Sequence, residues 1–141
     1  MRRSFVLAIV CAVALAGAAC GNSTATPTTP TAAVPAAGTD TFVGQMAPGG
    51  TAVRAFIASA AGTVNITLTT TDPASTLVGL GIGIPGTNLG ACDMTKTVQT
   101  RAGSTAQITA AVEAGVYCAG AFDIGTVGRT GVVITMTVAH P

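Results

Sequence analysis

The chain predicts an all-β fold, an antiparallel β-sandwich of jelly-roll-like type with about eight strands. Three observations carry the prediction. Apolar and polar residues alternate with period two through most of the sequence after Asp40. Turn signals built from Gly, Pro and Asp recur at short, regular intervals. No window in the same stretch shows the 3.6-residue apolar period of an amphipathic helix.

The elements follow in order. Residues 41–45 and 51–58 read as the first two strands, separated by Pro48-Gly49-Gly50. Residues 62–70 alternate cleanly, with Val64, Ile66 and Leu68 on one face and Asn65, Thr67 and Thr69 on the other. After the Asp72-Pro73 break, residues 77–84 form a fourth strand, in which Gly79, Gly81 and Gly83 leave room for close packing. Pro85-Gly86 ends it, and a short run near Cys92 follows. Residues 106–112 put Ala106, Ile108, Ala110 and Val112 on one face, and Glu113-Ala114-Gly115 turns the chain into a strand from Val116. The last strand, within 131–140, opposes Ile134, Met136 and Val138 to Val133, Thr135 and Thr137.

Helix is expected only at the start. Arg2 and Arg3 precede an apolar run from Phe5 to Leu15, and Ala16-Gly17-Ala18-Ala19 supplies small residues for cleavage. The run is too short to cross a bilayer, which takes roughly 20 apolar residues. With Cys20 next, this start resembles a bacterial lipoprotein signal, although Gly17 stands where that family usually has Leu, Val or Ile. The resemblance implies that residues 1–19 are removed and that Cys20 is diacylated and becomes the anchored N-terminus. Ordinary secretion, leaving Cys20 as a thiol, is the alternative. Gly21, in place of an aspartate after the cysteine, points to the outer membrane where the bacterium has one.

Residues 20–39 hold the cysteine and a Thr/Pro/Ala-rich linker without charge or periodicity, which buries too little apolar surface to order itself. Residues 40–141 are enough for one core. Of the four cysteines, Cys11 leaves with the signal and Cys20 is the lipidation candidate, so Cys92 and Cys118 remain as a pair. In an oxidising compartment they are expected to form a disulfide. The exported acids (Asp40, Asp72, Asp93, Glu113, Asp123) outnumber the bases (Arg54, Lys96, Arg101, Arg129) by one. No basic patch invites nucleic acid.

Motifs that carry chemistry are scarce. Gly81-Ile82-Gly83-Ile84-Pro85-Gly86 fits a dinucleotide fingerprint in letters only, because no helix follows to receive a pyrophosphate. Tyr117 and Asp123 are the weak ligand-binding candidates. Tyr117 reads better as an anchor packed beside Cys118, and Asp123 as a turn residue that binds backbone amides. His140 reads as a solvated end. No metal or catalytic set emerges, and no cofactor is implied.

Asp40-Thr41-Phe42, Arg54-Ala55-Phe56, Gly62-Thr63-Val64-Asn65-Ile66 and above all Ala114-Gly115-Val116-Tyr117-Cys118, followed by Phe122-Asp123 and 131–138, resemble the bacterial pre-peptidase C-terminal family. These β-sandwiches accompany secreted peptidases and other exported proteins. Ala119 and Ala121 depart from the large apolar residues usual there. The resemblance implies an accessory, non-catalytic domain. The expectation is thus a monomeric, exported lipoprotein, held to the membrane through Cys20, whose module serves a binding or structural role toward an envelope glycan or polypeptide. The alternatives are a partner or inhibitor of a secreted peptidase, and a hydrolase.

Overall fold

The computed structural model describes residues 37–88 and 90–141, so the signal, Cys20 and the linker up to residue 36 lie outside the described residues. Eight strands follow one another: β1 Gly38–Met46, β2 Thr51–Ala58, β3 Gly62–Asp72, β4 Val78–Pro85, β5 Cys92–Thr100, β6 Ile108–Val112, β7 Gly115–Phe122 and β8 Val132–His140. They form two antiparallel four-stranded sheets, ordered β1-β8-β3-β6 and β2-β7-β4-β5. The all-β sandwich predicted from the sequence is the fold observed.

The topology has a simple logic. β1 pairs with β8, β2 with β7, β3 with β6 and β4 with β5, so the chain is one long hairpin whose tip is β4–β5. Rolling that hairpin adds the pairings β3–β8 and β4–β7 and closes a jelly roll. The roll places β1 and β2 at one open side of the sandwich and β5 and β6 at the other. At the second side the Lys96 ammonium donates to the Thr109 carbonyl (2.6 Å) and so ties the two edge strands together.

The core lies between the sheets. Val64, Ile66 and Leu68 of β3 and Ile134, Met136 and Val138 of β8 face inward, as their alternation predicts. They meet Val78, Leu80 and Ile82 of β4, Phe56 of β2 and Ala119 and Ala121 of β7. The two alanines in β7 let the sheets close over the larger aliphatic groups of β3 and β8.

Two bulges change what the sequence pattern implies. One interrupts the β3–β8 register between Leu68 and Thr70, leaving Thr69 as the extra residue, whose hydroxyl donates to the Thr135 carbonyl (3.0 Å). Beyond it the strand's phase flips, so β3 runs on to Asp72 and Thr71 turns inward, its hydroxyl buried without a hydrogen-bond partner. The other lies between Ile82 and Gly83, where Thr95 is the extra residue on β5.

Boundaries differ where the backbone finds other partners. β6 begins at Ile108 rather than at residue 106, because Gln107 leaves the ladder. Its side-chain oxygen accepts from the Leu68 amide (2.7 Å), while its own amide donates to the Ile66 carbonyl (3.0 Å). β1 starts at Gly38, two residues before the expected domain start. β5 is a nine-residue strand where only a short run was expected.

Candidate functional site

The two outer faces have different chemistry. On the β1-β8-β3-β6 sheet the register aligns Thr41, Thr137 and Thr67 in one row and Thr39, Ala139, Asn65 and Thr109 in the next. Thr109 donates to the Asn65 side-chain oxygen (2.8 Å). Beyond these rows the same face carries Val43 of β1 and Val133 of β8, 65% and 40% exposed, and reaches Asp72 at its far end. The other face is aliphatic beside the edge: Ile57 of β2 sits directly across from Val116 of β7, and the two are 63% and 54% exposed.

The disulfide expected from the cysteine count lies on this aliphatic face. Cys92 and Cys118 are within bonding distance, with Cα atoms 5.9 Å apart. Cys92 starts β5 and Cys118 lies in β7, and β4 runs between those strands. In a flat sheet strands on either side of a third stand about 9.5 Å apart, so β5 curls over the face of β4 to make the bond. The alternating glycines explain how it can. A Cβ on Gly83 would lie 2.0 Å from the Asp93 carbonyl oxygen, and one on Gly81 would lie 2.5 Å from the Met94 sulfur. The close packing expected of these glycines is therefore real: β5 packs on Gly81 and Gly83, and the Phe122 ring of β7 packs on Gly79. The fingerprint-like run 81–86 occupies a strand and its turn.

Tyr117 and Asp123 do not form one site. They stand at the two ends of β7, about 20 Å apart at the rise of an extended strand. Tyr117 is half-buried and stacks on Phe56, with centroids 5.9 Å apart, while its hydroxyl donates to the Glu113 carbonyl (3.1 Å) and accepts from the Glu113 amide (3.2 Å). It staples the turn before β7, as an anchor does.

Asp123 is a clamp. One carboxylate oxygen accepts from the amides of Gly125, Thr126 and Val127 (2.8, 2.9 and 3.0 Å), and the other from Gly49 (2.8 Å) across the end of the sandwich. Its own amide donates to the Gly50 carbonyl (3.0 Å). These amides, Gly49 first and then Val127, lower its pKa from 3.8 to about 2. With its lone pairs committed to backbone, this carboxylate orders two loops. Among the described residues no three His, Cys, Asp or Glu side chains come together as a metal site would need.

His140 corrects the expectation of a solvated end. It is the last residue of β8, its side chain is 14% exposed, and its ring lies 5.5 Å from that of Phe56. Inward alternation from Ile134 through Val138 continues to position 140, a signal the period-two pattern already held. Nε2 lies 3.4 Å from the Asp40 carboxylate and Nδ1 3.3 Å from the Pro141 carbonyl. Both ring nitrogens thus face groups of the end of the sandwich, and the imidazole, Phe56 and Tyr117 form one packed aromatic cluster. This cluster was not legible in the sequence, since β2, β7 and β8 each contribute a single member.

The clefts are shallow. The one nearest the disulfide, about 260 Å³, lies between β2 and the turn that follows β4 and is bounded by Val53, Ala55, Pro85, Ala91 and Cys118. The fold and these surfaces define the class: a small, disulfide-clamped jelly roll. Comparison with known proteins finds no match, whether to a family model, a curated protein or a solved structure.

Proposed function

We propose that this chain is a cell-envelope lipoprotein, anchored through Cys20, that displays a small non-catalytic sandwich as a binding or structural accessory module. The reading rests on the order of parts: Arg2-Arg3, the apolar run from Phe5 to Leu15 and small residues before Cys20, then an uncharged Thr/Pro/Ala linker, and a sandwich whose first strand begins at Gly38. The surfaces support the same reading. One outer face offers rows of threonine hydroxyls and the other an aliphatic stripe, both suited to contact with an envelope glycan or polypeptide.

The polar side chains of the domain support the non-catalytic part. Asp123 spends its carboxylate on four amides, and His140 turns its nitrogens to Asp40 and to backbone. The test is partitioning together with activity. The wild-type protein enters the detergent phase and Cys20→Ser the aqueous phase, because stable attachment needs more than one acyl chain. The same protein is inert on peptidase, esterase and glycosidase panels. Turnover abolished by one substitution would overturn the non-catalytic reading, and equal partitioning of both forms would overturn the anchor.

A further inference from the structure

The Cys92–Cys118 bridge does more than close a loop, because of what it holds. From Cys92 to Thr97 the side chains of β5 are exposed or half-buried, and none belongs to the core. The first β5 side chain to pack on the core is Val98. Ahead of it, β5 has crossed the bulge at Thr95 and lies on the glycines of β4. Besides the ladder, its ties there are the Thr95 hydroxyl to the Ile82 carbonyl (3.2 Å), Lys96 to the Thr109 carbonyl, and Met94 resting on Gly81. Ahead of Cys92, the Gly86 amide donates to the Ala91 carbonyl (3.1 Å) and the Ala91 amide to the Asn88 carbonyl (3.0 Å).

We propose that the bridge is a redox latch: its reduction releases the start of β5 and the two residues before it, residues 90–95, from the outer face while the sandwich stays folded. Lifting the tip removes one wall of the cleft at Val53 and Ala55 and uncovers Gly81 and Gly83. The Val53 and Ala55 side chains of β2 then join the exposed aliphatic stripe of Ile57 and Val116. The protein would present one outer face when oxidised and a larger, more apolar one when reduced.

The chemistry is thiol–disulfide exchange with a dithiol reductant. Cys92 is half-buried and Cys118 only 1% exposed, so the reductant's thiolate attacks the Cys92 sulfur. The S–S bond breaks, the Cys118 sulfur leaves with the electron pair and takes a proton, and Cys92 is held in a mixed disulfide. The reductant's second thiolate attacks its own sulfur in that adduct. Cys92 departs as a thiolate and is protonated, and the reductant leaves as its cyclic disulfide, two electrons having passed to the protein.

The test is amide exchange of the full exported protein with and without dithiothreitol, complete reduction being verified by alkylation of both thiols. Exchange in residues 90–95 is expected to rise at least about tenfold on reduction, while β3 and β8 keep their protection. The Cys92→Ser/Cys118→Ser variant is expected to match the reduced protein. Unchanged exchange at 90–95 in fully reduced protein would overturn the latch, since the ladder alone would then hold the tip. Loss of protection throughout β3 and β8, or a variant that does not fold, would overturn it in the other sense by making the bridge a staple of the whole fold.

Discussion

Replacing Gly83 with alanine sets two effects of opposite sign against each other. Alanine restricts the unfolded chain and suits a strand better than glycine, a gain of about 0.5–1 kcal/mol where the site accepts it. At Gly83 the added Cβ would stand 2.0 Å from the Asp93 carbonyl oxygen and 2.8 Å from the Met94 Cα, where ordinary contact begins at 3.4 Å. Both obstacles are backbone, so β5 must lift by more than an ångström. That strains or breaks the pairing of Gly83, Ile84 and Pro85 with Met94, Asp93 and Cys92. Overpacking of this kind costs about 1–3 kcal/mol, and each weakened ladder bond adds about 1 kcal/mol.

The net expectation for Gly83→Ala is a loss of about 2–3 kcal/mol, or a fall in Tm of about 10 °C for a domain of this size. Gly81→Ala is the matched control. Its Cβ meets the end of the flexible Met94 side chain, which can swing aside, so it is expected within about 1 kcal/mol of wild type. Urea unfolding followed by circular dichroism, with m unchanged, measures both. A Gly83→Ala midpoint at or above wild type, or equal losses at the two positions, would refute the packing of β5 on β4.

Two further outcomes follow from single side chains. Asp123 titrates lower when folded, at about 2 against 3.8, so its contribution is complete above pH 3.8 and is lost as the pH falls toward 2. Acid titration of stability is expected to show this loss in wild type and not in Asp123→Asn; identical acid limbs would contradict the clamp. Thr71→Val removes a buried hydroxyl that has no partner and keeps the side chain's shape, so stability is expected to rise by about 1 kcal/mol. A lower Tm would show that the hydroxyl is bonded in solution.

The legible parts of the fold are those where one sheet face is buried and the other wet. β3 and β8 are such strands, and Val64, Ile66, Leu68, Ile134, Met136 and Val138 all face inward as their alternation implies. β5 was hard to read because Lys96 breaks the alternation of Cys92, Met94 and Val98 with polar residues, and a bulge at Thr95 shifts the strand's phase. Thr71 was opaque because a bulge shifts the phase, and nothing in a threonine run marks which residue is the extra one. At the candidate site the residue types were readable and their partners were not. Asp123 suits an amide-binding turn, yet Gly49 reaches it from 74 residues away. The glycines of β4 announced a close approach without saying that a disulfide-held strand makes it.

The central claim, a sandwich displayed on a lipid anchor, is tested most directly by the mass of the mature N-terminus. Protein expressed with its own signal in a bacterial host is extracted with detergent, digested, and its N-terminal peptide measured. The expected peptide begins at Cys20 and carries a diacylglyceryl group on its sulfur. A mature chain beginning at another residue, or one beginning at Cys20 with a free thiol, would contradict it.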